Sequence, residues 1–556
     1  MKLKTKKGLA LVLAAFTGVA LIGSSLAQTA DDALETGFVT PPDSAKPRTW
    51  WHWTMSNVSK AGITKDLEWM KRVGIGGFML ADVNYGRGQT VEPKIPYGTP
   101  EWYEAVRFAA AEADRLGLEM AIFSSPGWSE TGGPWVKPEQ AMKKLVWSET
   151  HATGPEIFSG SLKHPPTNIG QIRNTGVSYY DNSSTETPFY ADSAVIAYRT
   201  PAGEAAAESA VPVVTSNNGP IDGSALLDDD LNTQLTIPAP ADGAAAWIQY
   251  EFPKSVTARA ITLGGKGGSA NGIPVGRVLA GDDGVTFRTL ITLPGTQLYR
   301  QGMVRTFSFP LTTAKYFRIE MTGAPLGPAI TMSQAPSPPA KQYVLSEAIV
   351  HRGARVNRWE EKAGFSFLFE YESVPSLAVP ADATIAPAGV VDLTDKMRAD
   401  GTLDWTVPAG DWTILRMGYS LTGAKNRPAT PAGSGLEADK LSRKHMEAYI
   451  HGYFDPLQQA LGPLFGKSLR YVMMDSWEAG TNNWTDEMAV EFRQRRGYDP
   501  TPYLPALTGR VVESAEVSDR FLWDFRRTLA DLWADSHYGT MAEKLRERGI
   551  GIYAEA

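Results

Sequence analysis

The sequence predicts an α/β plus all-β chain: a (β/α)8 TIM-like barrel, interrupted by an inserted β-sandwich and incomplete within these 556 residues. Three observations predict it. Strand and helix signals alternate from Arg48 to about Thr150 and again from about Gly435. Between these stretches helical periodicity gives way to short alternating runs rich in Pro, Gly, Ser, Thr and Ala. The apolar strand-like runs end in carboxylates, aromatics or histidine, as barrel strands do at their C-terminal tips.

Residues 1–27 read as a secretory signal: Lys2, Lys4, Lys6 and Lys7, an apolar run from Gly8 to about Gly23, then Ser25-Leu-Ala27. The run is too short for a membrane span, so an exported chain, periplasmic or extracellular, with no stable span after cleavage is expected. Residues 28–150 read as the first part of the barrel. Arg48–Trp53 is the first strand, Ile63, Leu67, Met70 and Val73 mark a helix, and Gly74–Asp82 is the second strand. Pro100 opens a second helix that Gly117 closes before a strand over Leu118–Ser125.

Residues 151–345 read as the inserted sandwich, with strands at Trp247–Phe252, Ala260–Leu263, Phe287–Leu293 and Tyr316–Met321. Residues 346–434 read as a further β-rich insertion, including Phe365–Tyr371 and Trp405–Leu415. The barrel resumes over 435–556 with a helix at Leu441–Leu461, a strand at Leu469–Asp475, a long helical stretch at Ser518–Arg548 and a last strand at Ile550–Glu555. Five strands do not close an eight-stranded barrel, so an N-terminal portion of a longer protein is expected.

Composition narrows the chemistry. The absence of cysteine excludes disulfides, thiolate nucleophiles and thiolate metal sites. A formal charge of -7, without a basic patch, argues against nucleic-acid binding. Tyr471-Val-Met-Met-Asp-Ser-Trp-Glu-Ala-Gly480 places Asp475, Trp477 and Glu478 at a strand tip, and an aromatic ring among carboxylates suits a sugar. Glu478 is the expected general acid, because a neighbouring carboxylate and an apolar ring both disfavour its ionised form. Glu555, at the next tip, is a base or a metal ligand; Asp475 orients Glu478, binds metal or caps the loop. His52, Asp82, Trp128 and Trp477 are the candidate substrate contacts, although His52 reads equally well as a core residue. Alternation along this strand keeps His52 and one of Trp51 and Trp53 from sharing a face, so at least one of these tryptophans is core.

Several motifs together resemble glycoside hydrolase family 106, the α-L-rhamnosidase family: Thr49-Trp-Trp-His-Trp53, Gly76-Gly-Phe78, Ser125-Pro-Gly-Trp128, Leu403-Asp-Trp-Thr-Val-Pro-Ala-Gly-Asp-Trp412, Gly435-Leu-Glu-Ala-Asp-Lys440 and Asp475-Ser-Trp-Glu-Ala-Gly480. The resemblance implies an interrupted (β/α)8 catalytic domain, hydrolysis with inversion and a calcium ion near the sugar, with Asp475 and Glu555 among its candidate ligands. The substrate implied is a rhamnose-containing oligo- or polysaccharide. Leu227-Asp-Asp-Asp-Leu-Asn-Thr233 with Trp247–Phe252 resembles a galactose-binding-like sandwich, where the acidic loop is either turn chemistry or a structural calcium site. A non-catalytic carbohydrate-binding protein, or a glycosidase for another sugar, are the competing readings; carboxylates on two strand tips favour an enzyme.

Overall fold

The computed structural model describes residues 34–85, 91–168, 172–173, 189–204, 211–265, 273–294, 304–323, 341–368, 370–477 and 479–555. The expected signal at 1–27 lies outside them. Five strands, β1 (Arg48–Thr54), β2 (Gly77–Val83), β3 (Glu119–Phe123), β4 (Leu469–Met474) and β5 (Gly551–Ala554), form one sheet in chain order. Every neighbouring pair is parallel. The C-terminal tips therefore share one edge. Among the described residues this is an open five-stranded parallel sheet bounded by β1 and β5, and the expected eight-stranded barrel is not shown.

Local chemistry sets the crossovers. Ser59 caps the helix Lys60–Arg72 by accepting from the Gly62 N–H at 3.1 Å, and Ile63, Leu67 and Met70 recur at helical spacing on its buried face. Thr99 caps Pro100–Leu116, and Gly117 closes it with a left-handed φ of 63°. Period-two alternation then divides the sheet. Trp51, Trp53, Phe78, Leu80, Met120, Ile122, Val472 and Met474 pack into the core shared with the helices. Ala81, Val83, Phe123 and Met473 face the other way with Met79 and Tyr553. Both Trp51 and Trp53 are core, as alternation requires of at least one.

The insertion is nested. Lys143–Ser161 pairs antiparallel with Thr402–Leu421, and with Tyr190–Arg199 and Val391–Asp392 they make a four-stranded sheet. The strand Lys143–Ser161 thus runs through the expected boundary at 150, since its length is set by a partner about 260 residues away. Inside it lies an eight-stranded sheet whose long strands, Ala246–Gly265 and Val304–Gly323, shift register at Ser308/Thr312 and Ala314/Tyr316. Such irregularities bend strands around a core of their own, here including Ile248, Tyr250, Phe317 and Ile319. The expected strand at Phe365–Tyr371 is not seen among its described residues: these join no ladder, and Tyr371–Ser373 is a 3-10 turn. An apolar run alone does not supply a pairing edge.

Where the chain leaves the parallel sheet and returns, an ion cluster buried at Lys143, Asp439 and His445 and open at Asp486 ties the two ends. Lys143 Nζ lies 3.1 Å from Asp439 and 3.2 Å from Asp486. Thr485 donates to Asp439 at 2.7 Å, and the His445 ring meets Asp486 at 2.8 Å. Burial opposes ionisation of Asp486, but the His445 hydrogen bond and Lys143 hold its pKa down at about 2. Lys143→Met is expected to cost about 3–5 kcal/mol, because it strands the fully buried Asp439 carboxylate. Urea unfolding with a lowered midpoint and an unchanged slope is the expected result; an unchanged midpoint would refute it.

Candidate active site

The polar groups collect at the shared tip edge, and alternation decides which of them face the open side of the sheet. Met473 lies on that side and Met474 in the helix-facing core, so the next residue, Asp475, continues on the open side. Likewise Tyr553 lies on the open side and places Glu555 there. The Glu555 N–H donates to the Met474 carbonyl at 3.0 Å, which sets Asp475 and Glu555 on adjoining tips. Asp475 is buried and Glu555 exposed. Glu478, the expected acid, lies outside the described residues.

His52 is on the open side with Trp50, opposite Trp51 and Trp53. Its ring lies 5.7 Å from Trp50 and 6.1 Å from Trp128, and Trp128 lies 6.1 Å from Tyr85. Burial lowers the His52 pKa, so the ring is neutral at pH 7, and its Nε2 is buried without a hydrogen-bond partner. A neutral imidazole beside two indoles, with Tyr85 against the second, makes an apolar wall suited to the apolar face of a pyranose.

Asp82 is a correction. Its register partner is Trp53, so it points into the helix layer and not toward this aromatic wall. Trp102 Nε1 donates to Oδ2 at 3.0 Å and Thr430 to Oδ1 at 3.2 Å. Burial pushes its pKa up to about 6, with those two hydrogen bonds pulling the other way. Trp477, expected as a sugar contact, is partly buried and packed on Trp533 at 4.2 Å, with its Nε1 donating to the Gly480 carbonyl at 2.7 Å.

Two features escaped sequence reasoning. The loop after Thr402–Leu421 returns across the tips: Arg427 O accepts from the Trp128 N–H at 2.7 Å, and Pro428 O from the Asn84 N–H at 2.7 Å. This explains Gly127, whose φ is 83° and where a Cβ would sit 2.3 Å from Arg427 O. The second is a buried charged cluster. Glu130 accepts from Tyr538 at 2.7 Å and pairs with His537 at 3.0 Å, while Glu437 pairs with Lys440 at 2.7 Å and accepts from Thr131 at 2.5 Å. Glu437 and Lys440 were visible only as part of a motif, and His537 as one of seven histidines.

Among the described residues, one set of side chains is gathered like metal ligands, with donor atoms of Asp439, His445 and Asp486 all within 4.8 Å of one another. It does not fit calcium. That ion takes roughly six to eight oxygens, whereas this set has a ring nitrogen and its two carboxylates are already bridged by Lys143. Asp475 and Glu555 belong to no such set among the described residues. The acidic loop of the insertion is turn chemistry in part: the Asp230 N–H bonds Asp228 at 3.0 Å, the Asn232 N–H bonds Asp230 at 3.0 Å, and Thr233 donates to Asp228 at 2.7 Å. No helix among the described residues is long and apolar enough to cross a membrane.

A family model described as alpha-L-rhamnosidase, Glyco_hydro_106, matches residues 39–556. The solved structure of a rhamnosidase from Novosphingobium sp. PP1Y is 39% identical with a TM-score of 0.80, covering 94% of this chain and 47% of that one. A protein of Formosa agariphila named "Putative beta-glucuronidase" is 29% identical over 522 residues, 94% of this chain and 30% of the relative. The chain thus spans less than half the length of either.

Asp82 provides a test of the helix-facing assignment. Its folded-state pKa of about 6 lies above the ordinary carboxylate value of about 3.9, so the folded chain holds this proton at higher pH than the unfolded one. Its contribution therefore falls as pH rises from about 4 to 6 and leaves a penalty of about 3 kcal/mol above that window. Asp82→Asn is expected to be at least as stable as the parent at pH 7 and to lose this gain on acidification. A loss above about 1 kcal/mol at pH 7 would mean that the ionised carboxylate is required.

Proposed function

The chain belongs to glycoside hydrolase family 106, the α-L-rhamnosidase family, and from that premise we propose that it forms part of an exported, inverting α-L-rhamnosidase. The observation that carries this reading is the edge where five parallel strand tips meet, with Asp475 and Glu555 on the same face as His52. Parallel β/α barrels place their active sites at that edge, and the five strands are read as part of such a barrel. Export rests on the basic, apolar and small residues in order over 1–27.

An inverting hydrolase needs a carboxylic acid to protonate the departing glycosidic oxygen and a carboxylate to activate water on the opposite face of the sugar, about 6.5–9.5 Å away. Glu478 is assigned as the acid. Glu555 is a candidate base, being exposed on the neighbouring tip and free to take a proton from water. The neutral His52 stands behind Trp128 in this wall, and Trp128 with Tyr85 offers the apolar surface on which the pyranose rests. No step runs through a metal. The name of the Formosa relative favours a second reading, in which the same site takes a uronate.

The test follows an aryl α-L-rhamnoside by proton NMR in the full-length protein. Initial release of β-rhamnose is expected, with Glu478→Gln lowering kcat by about 10²–10⁴-fold. Release of glucuronate from an aryl β-glucuronide, with the rhamnoside left intact, would support the second reading. Undiminished turnover by Glu478→Gln would remove that residue from the acid role.

A further inference from the structure

Trp477, two residues beyond Asp475, is gripped by a closed circuit of side chains. Its indole packs on Trp533 with ring planes 31° apart, and Lys440 Nζ lies 4.9 Å from its ring centroid. Lys440 is only 1% exposed, so its ammonium needs a counter-charge. Glu437 supplies it at 2.7 Å, and Thr131 donates to the same oxygen, Oε2, at 2.5 Å. Glu437 Oε1 is buried without a hydrogen-bond partner, leaving Lys440 and Thr131 to satisfy this carboxylate.

The neighbour of Thr131 completes the circuit. Glu130 is held by His537 at 3.0 Å and Tyr538 at 2.7 Å. Both belong to the π-helical segment Trp533–Gly539, which also carries Trp533. A π-helical stretch inside a long helix is uncommon and tends to occur at functional sites. The contacts run from Trp477 to Lys440, Glu437, Thr131 and Glu130, then through His537 back along the π-helix to Trp533 and Trp477. Shifting any member disturbs both of its neighbours. Buried ion pairs add little net stability compared with apolar packing, and a known use of them is to specify one arrangement.

We propose that Lys440 is a positioning residue for the reaction: acting through Trp477, its ammonium fixes the turn that follows β4 and carries the expected acid. This rests on the glycosidase reading above. The test compares three forms of the full-length protein on an aryl α-L-rhamnoside: the parent, Lys440→Arg, and the double variant Lys440→Met/Glu437→Gln, which leaves neither charge unpaired.

The double variant is expected to keep a cooperative thermal transition near that of the parent, to lose about 10–100-fold in kcat and to change KM little. Lys440→Arg, which retains the charge, is expected to recover most of that loss. A double variant with parental kcat would overturn the inference. So would kcat and thermal midpoint falling together with no recovery in Lys440→Arg, since that marks a merely structural lysine. A parent that leaves the rhamnoside intact overturns the functional reading and this inference with it; an active parent with an indifferent double variant overturns this inference alone.

Discussion

The architecture depends on one buried ammonium. β3 and β4 must lie side by side, yet the chain between them makes two further sheets before returning. The entropy cost of closing so long an excursion grows only slowly with length, so the difficulty is returning to the right place. Lys143 answers it at the neck, where the outgoing strand begins, by holding Asp439 on the returning chain and Asp486 beyond β4. The bridge between Ala141 and Ala438 and the ladder from Lys143↔Leu421 to Thr402↔Ser161 continue that junction on either side. With the neck held, the loop around Arg427 can lie across the tips of β2 and β3, and Trp128 takes its position from it.

The parallel sheet then separates two roles by the parity of residue position. Along β2, Phe78, Leu80 and Asp82 share the helix-facing side, while Met79, Ala81 and Val83 share the other. A carboxylate at a strand tip is therefore structural or available according to a shift of one residue. Asp82 is spent on Trp102 and Thr430, whereas Glu555 is exposed at its tip and Asp475 is buried beside it. Burial raises the Asp82 pKa and lowers that of His52 for the same reason, because desolvation penalises whichever form is charged.

Behind the tips the chain uses charge to set geometry. Glu130 and His537, with Glu437 and Lys440, come from three segments far apart in sequence and meet where the turn after β4 needs support. Burial opposes ionisation of Glu130, but hydrogen bonds from His537 and Tyr538 with the nearby Lys440 charge outweigh it and hold its pKa below the ordinary value. Burial lowers the pKa of His537, so His537 serves Glu130 as a neutral hydrogen-bond donor. The neutral aromatic wall at His52 and Trp128 and this charged support are thus chemically distinct parts of one edge.

What the sequence determined alone is local: the parallel strands and their crossover helices through period-two and helical spacing, the caps at Ser59, Thr99 and Gly117, the all-β character of the insertion, and the strand-tip places of Asp475 and Glu555. These rest on neighbours in the chain, which periodicity and turn chemistry report. Tertiary structure decided the rest. The pairing of Lys143–Ser161 with Thr402–Leu421, the missing strand at Phe365–Tyr371, the sequestration of Asp82, the Lys143 cluster and the circuit around Trp477 each depend on which distant segments meet. A carboxylate bonded to a tryptophan or a lysine carries no mark of it in the sequence, because the energy of that contact comes from removing both groups from water together.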